Sequence, residues 1–178
     1  LGRAVEERLG CVVSQGYGLT ETSPVTHSAP NRNRGDASHA TIGPSLPNTE
    51  VRIVSVDSGE DLGPGERGEV FIRGPQVMAG YLGQPEATAA TIDEDGWLHT
   101  GDIGYVDENT YCHIVDRVKE LIKYKGFQVP PAELEALLLT HPQIRDVAVV
   151  RSPDEEAGEV PKAFVVADES LTAEEVMS

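Results

Sequence analysis

Cysteine, aromatic residues and positive charge are all scarce in this 178-residue chain. It has two cysteines, an aromatic content of 5%, and 14 lysines and arginines against 30 aspartates and glutamates. The spacing of Cys11 and Cys112 suggests neither a disulfide framework nor a metal site, and a reducing cytoplasm fits this usage. The net charge of −16 argues against nucleic acid or an anionic membrane as a surface partner.

Long apolar runs are also missing, because none approaches the roughly 20 residues that a membrane-spanning helix needs. We therefore expect no membrane span. At the start of the chain, Leu1, Val5 and Leu9 have helical spacing without a capping residue before them. Near its end, Thr172 and Glu175 form a capping-box pattern that leaves room for only about two turns of helix. The sequence is therefore expected to be a fragment that works with the rest of a parent chain.

The pattern of apolar residues and turns predicts an α+β protein. Residues 1–28 are expected to be the end of a large α/β subdomain, with a buried strand at Cys11-Val12-Val13. Residues 29–116 are rich in short strands and glycine or proline turns, which predicts a distorted antiparallel β-barrel subdomain. Strands are predicted at 51–54, 69–73 and 112–115, and a helix at 85–92.

The composition changes after Arg117, where lysines concentrate in an otherwise acidic chain. Pro131 and Glu133 suit the first turn of a helix, and apolar residues follow on one face. Short strands are predicted on its far side, at 147–149 and 163–167. Residues 117–178 are therefore expected to form a small α+β C-terminal domain, with its boundary near residues 116–119.

The first chemically suggestive segment is Gln15-Gly16-Tyr17-Gly18-Leu19-Thr20-Glu21. Its glycines permit turn geometry and close approach of the backbone to a ligand. Tyr17 offers a flat face to a base, Thr20 can donate to a phosphate oxygen, and Glu21 is a hard oxygen ligand for Mg²⁺. Taken alone, the segment is better explained as a turn with a packed tyrosine, since Glu21 stands where a dinucleotide fingerprint has its third glycine.

Further motifs follow in order along the chain. They are Arg73-Gly74-Pro75, Gly80-Tyr81-Leu82, Gly96-Trp97-Leu98-His99-Thr100-Gly101-Asp102, Ile114-Val115-Asp116-Arg117 and the segment from Glu120 to Val129. Together with the first segment they resemble the adenylate-forming superfamily, which comprises acyl-CoA ligases, firefly luciferase-like enzymes and peptide-synthetase adenylation domains. The resemblance runs over nearly the whole chain and is closest to the 4-coumarate–CoA ligase branch.

This resemblance implies an ATP-dependent, AMP-forming ligation of a carboxylic acid to coenzyme A, with Mg²⁺ as the metal. The acid would be aromatic, similar to cinnamate or coumarate, or of medium chain length. Tyr17 would line the adenine pocket, Thr20 would hold the α-phosphate, and Glu21 would bind Mg²⁺. Asp102 would accept hydrogen bonds from the ribose hydroxyls, and Arg117 would donate to the ribose or phosphate side. Gln15, Gly16 and Gly18 would complete the nucleotide contacts of the first segment.

The same resemblance assigns roles near the C-terminal domain. The C-terminal domain would be mobile, with a hinge near residues 116–119, and Lys119 would be the hinge residue about which it rotates between two half-reactions. Lys123 and Gln128 would approach the adenylate in one orientation, and Gly126 would let the backbone approach the entry tunnel of the thiol. Thr20, Glu21, Lys119 and Lys123 are thus the predicted catalytic set. The alternative for the lysines is a solvated basic loop.

Two parts of the family pattern are missing from the sequence. The phosphate-binding loop would lie upstream of Gln15, and a lysine that assists adenylation would lie beyond Ser178. We therefore expect no full reaction from the chain alone. A peptide-synthetase adenylation domain, against which Lys119 argues, and a luciferase-type enzyme stay open, as does a non-enzymatic AMP-binding regulatory module.

Overall fold

A computed structural model describes residues 2–29, 40–167, 171–173 and 176. The chain divides into two units, Leu1–Ile114 and Val115–Ser178, and each is described by itself. Glu175 of the predicted capping box lies outside the described residues. The hinge at 116–119 and the mobility of the C-terminal domain stay predictions. No helix in the described part of the chain is long and apolar enough to cross a membrane.

The first unit begins with helix α1, Gly2–Leu9. The strand predicted at residues 11–13 was wrong, since no described segment pairs with these residues and Val12 is 47% exposed. The Val13 amide instead donates to Oε1 of Glu6 at 2.9 Å. A buried strand forms only where neighbouring strands supply its hydrogen-bond partners, so an apolar run without such neighbours stays irregular.

A short antiparallel pair follows, made of β1, Gly16–Tyr17, and β2, His27–Ser28. A single turn of 3-10 helix, Thr20–Thr22, lies between the two strands. Gly18 enters this loop so close to the backbone that a Cβ atom there would overlap the carbonyl oxygen of Pro24. Glycine is therefore required at residue 18 for steric reasons.

The main sheet of the first unit contains β3, Glu50–Val54; β4, Gly68–Arg73; β5, Leu98–Val106; and the beginning of β6, Cys112–Arg117, whose last three residues belong to the second unit. The strands lie in the order β3-β4-β5-β6, and the β3–β4 and β4–β5 pairs are antiparallel. Burial alternates along β4 as expected for a strand with one face on the core. Ile53, Val70 and Ile72 form that core. Helix α2, Pro85–Thr91, agrees with the predicted helix.

The antiparallel pairing was predicted correctly, but the predicted barrel is not closed in the described residues. Strands β3 and β6 are the two ends of an open order and do not pair with each other. Closure requires every strand to have partners on both sides at a fixed stagger, and four strands do not meet that requirement here.

The second unit contains β7, Ile122–Tyr124; β8, Phe127–Val129; α3, Pro131–Leu138; β9, Ile144–Asp154; and β10, Gly158–Ala167. Its sheet order is β8-β7-β10-β9, with antiparallel pairing. Oε1 of Glu135 in α3 accepts the Val149 amide of β9 at 2.8 Å, which ties the helix to the sheet. This α+β arrangement agrees with the predicted fold class, although β9 and β10 are longer than predicted.

Candidate functional site

Two motifs that are far apart in the sequence meet through a hydrogen bond. The Tyr17 hydroxyl donates to Oδ2 of Asp102 at 2.5 Å, and Asp102 is only 6% exposed. Burial raises the pKa of Tyr17 well above its usual value, and the neighbouring carboxylate raises it further. The phenol therefore stays protonated and remains a donor at all physiological pH values. Of the predicted site residues, the structure brings Tyr17 and Asp102 into direct contact.

The backbone of β5 changes conformation just before Asp102. Gly101 has a φ of 72°, a left-handed value that favours glycine, and its amide donates to Oε1 of Glu69 at 2.9 Å. The Thr100 hydroxyl donates to the Val70 carbonyl at 2.7 Å and accepts the Asp102 amide at 3.1 Å. The pairing register shifts opposite this point, in β4. Such an irregularity redirects the next side chain, here the Asp102 carboxylate.

The Tyr17 ring lies between the core and a buried histidine. It packs against the cluster of Ile53, Val70 and Ile72, and it meets the His27 ring edge-on at a centroid distance of 5.9 Å. Burial lowers the pKa of His27 to about 4, so the imidazole is neutral at neutral pH. Tyr17 is half-buried, which leaves part of its surface exposed for a ligand.

Thr20 and Glu21 occupy the 3-10 turn after β1. Thr20 is exposed and Glu21 is half-buried. The buried Thr22 holds the turn, because its hydroxyl accepts the Leu19 amide at 2.9 Å and lies 3.0 Å from the Pro24 carbonyl oxygen. Oε1 of Glu21 accepts a hydrogen bond from the Tyr81 hydroxyl at 2.7 Å. Thr20 is therefore exposed to solvent on this turn, whereas the Glu21 side chain is held by Tyr81, which lies 60 residues later in the sequence.

An open cleft of about 470 Å³ lies beside this turn. Its walls include Glu21, Tyr81, Thr91, His99, Thr100 and Gly101. Tyr17, Thr20 and Asp102 do not line it. The cleft is therefore lined both by Glu21, the predicted metal ligand, and by the two residues before Asp102. Tyr17 and Asp102, which are assigned to the base and the ribose, do not line it.

Gln15, Gly16 and Gly18 have structural roles in the same region. The Gln15 carbonyl accepts the Ala29 amide at 2.8 Å, and Gly16 pairs with Ser28. These contacts hold the strand that carries Tyr17, and direct nucleotide contacts of the three residues stay predictions.

In the second unit, Arg117 and Lys119 are both exposed. Lys119 lies in a 3-10 turn, Val118–Glu120. The Asp116 carboxylate accepts the Arg117 amide at 2.7 Å and the Ala132 amide, at the start of α3, at 3.0 Å. Asp116 thus anchors the segment immediately before Lys119, a function that the sequence did not indicate.

Lys123, Gln128 and Gly126 belong to the β7–β8 hairpin. Lys123 is exposed and pairs with Gln128 across the two strands. Lys125 and Gly126 form the two-residue turn with φ values of 48° and 85°, typical of a type I′ turn. This geometry explains the glycine locally, so the proposed approach of Gly126 to a thiol tunnel stays a prediction.

The sequence reasoning gave no role to Tyr81, Thr22 or Thr100. Tyr81 was noted only as part of Gly80-Tyr81-Leu82, and its partner lies 60 residues earlier in the chain. Thr22 and Thr100 lie within two residues of the predicted site residues Glu21 and Asp102, and this proximity was the only sequence feature that pointed to them.

Two family models match the chain: the AMP-binding enzyme family over residues 1–82 and the AMP-binding enzyme C-terminal domain over residues 133–178. Among curated relatives, 4-coumarate–CoA ligase 2 of Oryza sativa subsp. japonica is 53% identical over 185 residues, covering 99% of this chain and 32% of that protein. 4-Coumarate–CoA ligase 1 of Glycine max is 53% identical over 179 residues, covering 97% of this chain and 61% of that protein.

Solved structures give the same result. ATP-bound MatB from Rhodopseudomonas palustris aligns with a TM-score of 0.87 and 34% identity over 98% of this chain and 35% of that one. The o-succinylbenzoate CoA synthetase of Bacillus subtilis, in complex with its acyl-adenylate intermediate, aligns with a TM-score of 0.83 and 32% identity over 98% of this chain and 35% of that one. The chain thus spans about a third of most of these relatives. With both family models in order along it and such relatives along nearly its whole length, the chain belongs to the AMP-binding, or adenylate-forming, enzyme family.

Proposed function

We propose that the protein containing this chain is an ATP-dependent, AMP-forming carboxylate–CoA ligase. The observation that carries the proposal is the hydrogen bond between Tyr17 and Asp102, which joins the residue assigned to the base to the residue assigned to the ribose. Because the chain spans about a third of the rice relative, the rest of the parent protein would supply the phosphate-binding loop and most of the acid pocket.

The proposed reaction has two steps. A carboxylate oxygen of the acid attacks the α-phosphorus of ATP, and pyrophosphate leaves as the acyl-adenylate forms. The sulfur of coenzyme A then attacks the acyl carbon, and AMP leaves as the thioester forms. Tyr17 would present its ring to adenine, and the Asp102 carboxylate would accept hydrogen bonds from the vicinal ribose hydroxyls. The Tyr17 hydroxyl holds that carboxylate in one orientation.

Thr20 and Glu21 would serve the phosphate end of ATP. The described residues contain no group of three or more His, Cys, Asp or Glu side chains that could enclose a metal. Mg²⁺ is commonly held by one or two carboxylates together with substrate phosphates and water, so a half-buried Glu21 beside an open cleft fits that ion. When bound, Mg²⁺ would neutralise phosphate charge. Thr20, which is exposed on the same turn, would donate to the α-phosphate.

The second unit would contribute to both steps by changing its orientation. Lys119 would be the hinge, and Lys123 would bring positive charge toward the adenylate, with Gln128 also close to it. Arg117 would donate to the ribose or phosphate side. Lys119 and Lys123 are exposed, and no ion pair involves either ammonium group among the residues that the structure describes. Side chains in that condition can engage a ligand without first breaking an existing contact. Gly126 would lie near the incoming thiol of coenzyme A.

We propose an aromatic acid similar to cinnamate or coumarate as the substrate, with a medium-chain acid as the alternative. The support is that the similar proteins of Oryza sativa and Glycine max are named 4-coumarate–CoA ligases. We also propose a cytoplasmic location, since Cys11 is an exposed free thiol and Cys112 is a buried one, as is usual in a reducing compartment.

An ATP–pyrophosphate exchange assay of the full-length protein over a panel of carboxylic acids tests this function. We expect exchange with hydroxycinnamates and, on adding coenzyme A, the corresponding thioester. Exchange with amino acids alone would indicate a peptide-synthetase adenylation domain. Binding of AMP without exchange for any acid would indicate a regulatory module and contradict the ligase assignment.

A further inference from the structure

The segment between β4 and α2 holds Glu21 at two points. The Tyr81 hydroxyl donates to Oε1 of Glu21 at 2.7 Å, and the Met78 amide donates to the Glu21 carbonyl oxygen at 2.8 Å. Both the side chain and the backbone of the proposed metal ligand are thus fixed by residues about 60 positions later in the chain. A half-buried glutamate on a surface turn would otherwise sample several rotamers.

Tyr81 is itself anchored to helix α2. Its amide donates to the Thr88 hydroxyl oxygen at 2.9 Å, and that hydroxyl donates to the Gln84 carbonyl at 2.9 Å. Gly80 precedes it with a φ of 144°, and a Cβ atom there would collide with the Thr88 side chain. The backbone at Tyr81 is therefore fixed by contacts that do not depend on the hydrogen bond from its hydroxyl to Glu21.

The hydrogen bond leaves the two carboxylate oxygens of Glu21 in different conditions. Oε1 accepts from Tyr81, whereas no described residue donates to Oε2. Glu21 and Tyr81 both line the open cleft of about 470 Å³, which is large enough for a polyphosphate.

We propose that Tyr81 is a positioning residue that orients the Glu21 carboxylate so that Oε2 can bind the divalent cation of the nucleotide complex. This inference rests on the proposed function, and it adds a residue to which no nucleotide or metal role has been assigned. The cation would bind a carboxylate that is already fixed. Cation binding would therefore not include the entropic cost of ordering the Glu21 side chain. A bond that only braced the turn against α2 would instead affect folding stability and leave metal dependence unchanged.

The test measures equilibrium binding of ATP to the full-length protein, without acid or coenzyme A, by isothermal titration in excess Mg²⁺ and in EDTA. The dissociation constant in EDTA divided by the dissociation constant in Mg²⁺ reports how strongly the metal aids binding. For Tyr81→Phe we expect that ratio to fall by about tenfold, the size of a lost hydrogen bond to a charged group, with metal-free affinity unchanged. Glu21→Gln should lower it at least as much, and adding Tyr81→Phe to Glu21→Gln should lower it no further.

The matched control is Tyr105→Phe, which removes the same hydroxyl from a tyrosine whose ring stacks on His113 and does not contact Glu21. It should keep the wild-type ratio. A wild-type ratio in Tyr81→Phe, together with a reduced ratio in Glu21→Gln, would overturn the role of Tyr81 and leave the proposed function intact. Equal losses in Mg²⁺ and EDTA would show a structural brace and also overturn it. Failure of the wild-type protein to bind ATP would instead refute the proposed function.

Discussion

Tyr17 and Asp102 lie 85 residues apart in the chain and share a 2.5 Å hydrogen bond from phenol to carboxylate. The bond connects the end of β1 to an irregular point of β5, where Gly101 adopts a left-handed φ of 72°. A carboxylate that is 6% exposed needs a donor, and this phenol supplies one. Base and ribose recognition are therefore predicted to depend on each other.

Asp102→Ala should weaken ATP binding to the full-length protein by roughly 1–3 kcal/mol, because it removes a charged acceptor and leaves the Tyr17 hydroxyl without it. Tyr17→Phe keeps the ring and should cost less. Isothermal titration of both variants gives the numbers, with Asp57→Asn on an exposed turn as the control. Wild-type affinity in a folded Asp102→Ala variant would contradict the ribose assignment.

His27 predicts a pH dependence of stability. Burial lowers its pKa from 6.5 to about 4, so the unfolded chain takes up this proton at a higher pH than the folded one. The contribution of neutral His27 to the free energy of unfolding is complete above pH 6.5 and is lost as the pH falls from 6.5 to 4. The loss is on the order of 3 kcal/mol, since one pKa unit corresponds to about 1.4 kcal/mol.

Denaturant unfolding of wild type and His27→Gln at several pH values between 4 and 7 measures this contribution. The stability difference between the two proteins should shrink as the pH falls, because glutamine does not titrate. A constant difference across that range would show that His27 keeps an ordinary pKa in the folded state.

Gly18→Ala tests the loop that carries the phosphate-end residues. An added Cβ would overlap the Pro24 carbonyl, so the loop must shift, at a cost of about 1–3 kcal/mol. We expect a lower melting temperature and weaker ATP binding. The control is Gly16→Ala, whose Cβ would approach the nearest atom, the His27 carbonyl oxygen, to 3.3 Å. Equal effects of the two substitutions would argue against a special constraint at Gly18.

Local pattern predicted much of the fold, and non-local contacts account for what it missed. Alternation at β4 and the Pro85 helix start were readable because each depends on neighbouring residues. The apolar run at residues 11–13 also reads as a strand, but strand formation depends on partners that a pattern cannot supply. Barrel closure likewise depends on pairing between strands far apart in the sequence.

The candidate site divides in the same way. Residue types with chemical meaning, such as Tyr17, Glu21 and Asp102, could be found from motifs and a family resemblance. The Tyr81–Glu21 bond could not, because it joins two motifs 60 residues apart and only the folded chain brings them together. Asp116 was likewise assigned no anchoring function, since its Ala132 partner lies across the 3-10 turn and the β7–β8 hairpin.

Lys119→Pro should separate the two half-reactions of the full-length enzyme. Lys119 lies in a 3-10 turn between β6 and β7, just after the segment that Asp116 anchors. Proline fixes φ and restricts the preceding residue, so a segment that must rotate would be locked. If the adenylating orientation is retained, pyrophosphate exchange should persist while thioester formation from supplied acyl-adenylate falls by at least about tenfold.

Two further variants distinguish rotation from charge at this hinge. Lys119→Ala removes the ammonium group but leaves the backbone free, so it should keep far more thioester formation than Lys119→Pro. Lys123→Ala removes an exposed positive charge from β7 and should slow the second step more than the first. Equal losses in both steps for Lys119→Pro, with a lowered melting temperature, would indicate misfolding. Equal losses with an unchanged melting temperature would show that the segment does not act as a hinge, because a locked hinge affects only the step that needs the other orientation.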